Sequence, residues 1–242
     1  MQRLSLFGSL LCLLFLGIVP GTLRAQQSLF NVPSSDITTP HKLFVQQQIN
    51  FSGIVQANTT LDYGLPKNWE VGLNLLGADY SKADHRFIRN DQFDGHSLAP
   101  LLLLNAQKGI NVNEHWKMGL GTQQGLNLTP NLKSHYAQFS YANVAYTSAH
   151  ERVRLNGGLY AGNANYLGEG KREGIMFGAD IALVHHKAHL MGDWILGNHD
   201  LGVAVLGAVY YPNPHFPISL GWQIPNAPKG SKALVVELTW VP

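Results

Sequence analysis

Eleven histidines are the first residues to weigh for chemistry. The densest group is His185, His186 and His189, followed by Asp193, His199 and Asp200. Two imidazoles and a carboxylate form a zinc-binding set when they converge. On an extended strand His185 and His186 project to opposite faces, which leaves only His186, His189 and Asp193 on one side. There is no His-Glu-x-x-His helix and no cysteine pair, so no metal site is expected. A serine nucleophile needs a nearby base. Ser148 and His150 lie two residues apart in a predicted turn, whereas His135 and Ser140 are an odd number of residues apart and face opposite ways. No Gly-x-Ser-x-Gly elbow or phosphate-cradling loop is present. These residues predict no catalytic centre and no cofactor, hence a protein that is not an enzyme, with lipid hydrolysis through Ser148 and His150 as a minor alternative.

The charges are more informative. Asp62, Glu70, Lys117, Arg152, Arg154, Asp180 and Glu237 interrupt otherwise apolar or small-residue strands, mostly toward one end of those strands. A charge facing lipid is costly, so such residues are expected to line an interior, either as a self-satisfied ionic belt or along a solute path.

The elements that position them are strands. Val55, Ala57, Thr59, Leu61 and Tyr63 alternate with Gln56, Asn58, Thr60 and Asp62, the period of two that places successive side chains on opposite faces. A turn at 64–68 leads to Trp69, Val71, Leu73 and Leu75 against Glu70, Gly72 and Asn74. The same pattern recurs to the last strand, where Leu234, Val236, Leu238 and Trp240 oppose Val235, Glu237 and Thr239. About twelve strands result, near 42–51, 54–63, 69–78, 98–108, 115–125, 135–146, 152–162, 174–185, 189–197, 201–211, 215–224 and 232–241. The count is ten if Ser52-Gly53 does not separate a true first hairpin. Short turns at 64–68, 109–114, 147–151, 186–188 and 212–214 alternate with longer connections at 80–97, 127–134 and 163–173. Outer-membrane barrels show this alternation, with the short turns in the periplasm. Tyr63, Trp69, Trp116, Tyr146, Tyr210, Tyr211, Phe216 and Trp240 fall near the short-turn ends, where a girdle of rings is expected at the lipid headgroups.

The segment Thr59-Thr60-Leu61-Asp62-Tyr63-Gly64-Leu65-Pro66-Lys67-Asn68-Trp69-Glu70-Val71-Gly72-Leu73 resembles a group of outer-membrane barrels, the MetA-pathway of phenol degradation family. The shared feature is a strand ending in Tyr-Gly, a tight turn, then an aromatic or aliphatic residue with Glu and Gly. The likeness runs from about Val45 to Leu76. It implies an outer-membrane protein that passes or binds small, apolar molecules, and it supplies no catalytic motif.

Composition agrees with this class. Arg3, an apolar stretch from Leu4 to Val19 and Leu23-Arg24-Ala25 read as a secretory signal peptide over residues 1–25. Its removal takes Cys12, the one cysteine, so no disulfide can stabilise the mature chain. It also takes Arg3 and Arg24, which leaves 15 basic residues from 17 against 15 acidic ones and argues against nucleic acid as a partner. Past the signal no apolar run is long enough to cross a bilayer as a helix. Residues 26–41, with Pro33, Ser34, Ser35 and Asp36, lack strand pattern and are expected either to hang in the periplasm or to fold back as a plug. The expected whole is an all-β protein, a closed antiparallel transmembrane β-barrel over 42–242 in the bacterial outer membrane. Its expected partners are outer-membrane lipids and a small-molecule solute. It works as a narrow passive channel or, alternatively, as a non-conducting structural or adhesion barrel.

Overall fold

Period-two alternation is realised as pairing along almost the whole chain. The computed structural model describes residues 29–128, 135–228 and 230–242. The expected signal peptide, residues 26–28 of the N-terminal segment, and 129–134 of one long connection lie outside the described residues. The strands are β1 (Leu43–Phe51), β2 (Ile54–Leu65), β3 (Trp69–Ser81), β4 (Arg86–Ile88), β5 (Leu101–Asn111), β6 (Trp116–Asn127) and β7 (Tyr136–Thr147). They continue as β8 (Val153–Gly162), β9 (Glu173–Val184), β10 (Ala188–Ile195), β11 (Val203–Tyr210), β12 (Ile218–Pro225) and β13 (Ala233–Trp240). One helical turn, α1 (Ala164–Leu167), begins at Asn163, whose side chain accepts the Tyr166 N–H.

Consecutive strands pair antiparallel, except that β5 pairs with β3 past β4, and β1 pairs with β13 from Val45 against Trp240 to Phe51 against Leu234. This last pairing closes a barrel of twelve strands, and full closure leaves no sheet edge to template aggregation. Ser52 and Gly53 do separate β1 from β2, which decides for twelve rather than ten. β4 is an appendage that pairs with Asp79–Ser81 of β3 within the expected 80–97 connection. At three residues it is too short to show a period in sequence.

The alternation is inverted relative to a water-soluble sheet. Leu61, Leu73, Leu104, Leu120, Leu206 and Leu220 are among many exposed apolar side chains on the outer face. Gln46, Gln48, Asn74, Asn143, Asp180 and Glu237 are buried on the inner one. The apolar core lies inside the barrel toward the long-loop end, where Leu98, Leu103, Phe139, Met176, Ile195 and Val205 pack together. In one place the wall is bent. The register between β2 and β3 shifts between Ala57 and Thr59, opposite Gly77, whose backbone (φ 70°) is left-handed and whose N–H donates to Asn58 Oδ1 at 2.8 Å. A side chain at that φ would be strained, so the bulge is built on glycine.

Candidate functional site

The lumen of the barrel is the candidate site, and the N-terminal segment runs through it. From Pro40, which bridges to Gly64 at the short-turn end, the chain leads back through Thr38 and Asp36 to Leu29. Leu29, Phe30, Val32, Ser34, Ser35 and Thr38 are all buried. Pro33 and Pro40 cannot donate to a ladder, and the segment forms no strand. Its buried backbone groups must therefore be satisfied by side chains of the wall. They are. Asp193 accepts the N–H groups of Asn31 and Val32, the latter at 2.8 Å. Glu70 accepts the Thr38 N–H at 2.7 Å. Asn143 and Asn156 each donate to the Pro33 carbonyl at 2.6 Å, and Gln107 donates to the Ser34 carbonyl at 2.9 Å.

Two further contacts hold the segment. Asp36 receives Lys117 at 2.7 Å and pairs with Arg154. Phe30 rests on the wall at Gly207 and Gly221, where an added Cβ would lie 2.8 and 2.7 Å from its ring. Glycine at both positions lets the aromatic ring approach the backbone.

The segment divides the interior into two cavities. One, of about 250 Å³, follows β1, β2, β3 and β5 and includes Gln46, Gln48, Asn58, Asp62, Glu70 and Asn105. The other, of about 310 Å³, opens at the short-turn end beside Asp36, Lys117, Arg154, Asp180 and His189.

The long-loop end is covered. Phe139 stacks on Tyr160 and Tyr166 at 5.7 and 5.1 Å, and α1 is tied in by Leu98 N–H to the Asn165 carbonyl at 2.9 Å. Asp200 joins three connections: it accepts the Ser97 N–H at 2.6 Å, its own N–H donates to the Leu167 carbonyl at 2.9 Å, and its carboxylate meets His96 Nδ1 at 3.1 Å. Asp200 raises His96 above its ordinary value of 6.5, against the opposing effect of burial and with lesser help from Asp94 and Glu169. A raised imidazole contributes its pairing fully below about pH 6.5 and loses it as pH rises through the shifted value. Amide exchange over 95–98, corrected for intrinsic base catalysis, is therefore expected to quicken on raising the pH in the wild type but not in His96→Gln. Identical profiles in the two would remove the latch.

The predicted lumen charges meet different fates. Asp62, Glu70, Asp180 and Glu237 are buried on the inner face. Lys117 and Arg154 reach Asp36 across the interior. Arg152 is a correction: it has inward parity but precedes β8 and is exposed, because beyond the last strand pair its charge is hydrated in the turn. Of the predicted girdle, Tyr63, Trp69, Trp116, Tyr210, Phe216 and Trp240 are exposed on the outer face and Tyr146 packs against Trp116 at 5.1 Å. Tyr211 is the second correction. Tyr210 ends β11 facing outward, so its neighbour turns inward; Tyr211 is 5% exposed and packs against His189 at 5.2 Å. Trp194 and Trp222 form outward aromatic positions toward the long-loop end that the sequence reading missed.

His185, His186 and His189 border the short-turn cavity without forming a ligand set. His189 turns into the wall and pairs with Asp180 at 2.7 Å, His199 bonds Tyr160, and His185 and His186 are exposed. Among the described residues no group of three potential ligands is placed to hold a metal. Ser148 Oγ accepts the Val153 N–H, and Ser140 faces outward and donates to Thr122 at 2.9 Å. The residues sequence reasoning passed over are Asp36 and Asp193. Asp193 was visible only as a possible ligand, and nothing local showed that Asp36 would meet Lys117 and Arg154 or that Asp193 would accept the Asn31 and Val32 N–H groups.

The fold and site thus define a closed twelve-stranded antiparallel barrel whose interior is occupied by its own N-terminal segment. No protein-family model matches the chain, and no curated protein matches it in sequence. Among solved structures it is similar to the NanC porin, with a TM-score of 0.56 at 8% identity, over 82% of this chain and 99% of that one. The outer membrane phospholipase A of Escherichia coli is also similar, with a TM-score of 0.48 at 10% identity, over 85% of this chain and 94% of that one. The first likeness supports the barrel fold.

Proposed function

We propose that the protein is a bacterial outer-membrane barrel that admits small solutes by passive diffusion, through a lumen gated by its N-terminal segment. The outer face supports membrane residence, since each exposed leucine is favoured by roughly 1.5–3 kcal/mol once taken out of water. Short turns then face the periplasm. The likeness to a porin agrees with this reading at the level of the fold.

The observation that carries the channel reading is the nature of the filling. Small barrels are usually packed by wall side chains alone; here wall side chains such as Leu103, Phe139 and Met176 share the interior with the N-terminal segment, which is held by ion pairs, side-chain hydrogen bonds and the packing of Leu29, Phe30 and Val32, and is flanked by two cavities. Such a filling can move without unfolding the wall. Stable single-channel steps from the refolded mature chain in a planar bilayer are the expected result, and silence from protein shown to be folded would overturn it.

The covered long-loop end favours a second reading, a closed scaffold whose loops 82–100 and 163–172 bind partners. Under that reading neutralising Arg154 changes no ion selectivity. We assign no catalytic role to Ser148 or His150, and lipid hydrolysis lost on changing either would reverse that assignment.

A further inference from the structure

Among the described residues, the lysine and arginine side chains that enter the lumen lie on one side of the plug. Lys117, Arg154, His185, His186 and His189 line the cavity at the short-turn end, intermixed with Asp36, Glu151 and Asp180. The cavity along β1, β2, β3 and β5 has no lysine, arginine or histidine in its lining. Its acidic members are Asp62, Glu70 and Asp200. Between them lies a wall of carboxamides that includes Gln46, Gln48, Asn58, Asn74, Asn105 and Gln107. Lys117 and Arg154 are held at the short-turn side by their pairing with Asp36.

A carboxamide presents both donors and an acceptor, which complements hydroxyl groups that do both. Asn105 already orients Asp62 at 2.8 Å and Asn74 at 2.9 Å, so these groups hold fixed directions before anything enters. Asn31 borders the same cavity, and its buried Nδ2 has no acceptor among the described residues. A buried donor left without an acceptor is unfavourable, and an occupant bearing an oxygen would satisfy it. Asp62 and Glu70 lie on neighbouring strands on one inner face, where Asp62 is opposite Gly72 and Glu70 opposite Gly64. A positive charge placed between them lets both carboxylates ionise side by side. The volume of about 250 Å³ is just under the roughly 300 Å³ at which drug-sized sites begin, which limits the occupant to the scale of one sugar ring.

We propose that this cavity is a binding site for a small, hydroxyl-rich solute carrying a positive charge, held by the carboxamide wall and by Asp62 and Glu70. The proposal names the solute class for the passage proposed above and rests on that reading only for its transport role; binding itself requires no conduction.

Glucosamine, glucose and glucuronate share one ring size and differ in charge, so they serve as probes of the refolded mature chain in detergent by equilibrium dialysis. Glucosamine is expected to bind about tenfold more tightly than glucose, the difference between a charge-assisted and a neutral hydrogen bond, and glucuronate more weakly than either. Asp62 is hydrogen-bonded to Asn105 of the wall, and Asp62→Asn is expected to bring glucosamine to the level of glucose, while Asp62→Glu restores the difference; resistance to unfolding in dodecyl sulfate verifies each fold. Equal binding of all three, a preference for glucuronate, or no binding of any overturns the site. A silent bilayer with bound glucosamine overturns the passage and leaves the site standing, and conducting protein that binds no probe does the reverse.

Discussion

Mature protein lacking residues 26–38 is expected to carry a several-fold larger single-channel current than the intact mature chain. The deletion removes the buried side chains of Leu29, Phe30, Val32, Ser34 and Ser35 from the lumen and joins the two cavities into one space. Thr39 and the Pro40–Gly64 bridge stay, so the entry into β1 is untouched. Twelve strands lie between the barrels that wall side chains fill and those that hold an aqueous channel, so the plug decides the conductance. The deletion also strips Asp193 of the two backbone N–H groups it accepts and leaves Lys117 and Arg154 without Asp36. Water entering the emptied lumen hydrates these groups. A current no larger than that of the intact protein would place the closure in the long-loop cap, at Phe139, Tyr160 and Tyr166, instead of the plug.

The second large effect is expected at Asp36. Its side chain is 13% exposed, and its partners Arg154 and Lys117 are 19% and 41% exposed. Removing one member of a buried ion pair costs about 3–5 kcal/mol, and screening around the half-exposed Lys117 reduces this to about 2–3 kcal/mol. The Asp36→Asn variant should therefore raise the undocked fraction of the plug by roughly 30- to 100-fold, at 1.4 kcal/mol per factor of ten. The mature chain has no cysteine, since Cys12 belongs to the expected signal peptide. Val32 is fully buried, so a single Val32→Cys substitution reports docking through its rate of modification by a soluble maleimide. That rate is expected to rise by the same factor in Asp36→Asn. Adding Arg154→Gln should recover part of the loss, because deleting both partners costs less than stranding one. Unchanged labelling would mean that Phe30 and the Asp193 contacts hold the plug by themselves.

The wall of this protein was legible residue by residue. Strand alternation is a local property, and the expected strands at 54–63, 115–125 and 152–162 correspond to β2, β6 and β8 with shifts of a few residues at their ends. The same parity rule that placed Asp62 and Glu70 inward also shows where it ceases to apply. Arg152 keeps the parity of Arg154 yet lies past the last pair, and Tyr211 takes the parity opposite to Tyr210. At strand ends a side chain obeys either the pleat or the solvent, and neighbouring connections decide which.

The content of the lumen was not legible in the same way. Residues 29–40 have no period, because their backbone is satisfied by side chains instead of a ladder. Val32 meets Asp193 across 161 positions of chain and Pro33 meets Asn156 across 123. By itself the sequence determined a closed, inverted barrel with polar groups inside and aromatic residues at its short-turn rim, since period, turn chemistry and composition are read locally. Only the tertiary structure decided that the N-terminal segment enters the barrel, that Asp36 pairs with Lys117 and Arg154 there, and that an acidic, amide-lined cavity remains on the other side. Those outcomes depend on contacts between residues far apart in the chain, which exist only once the barrel has closed.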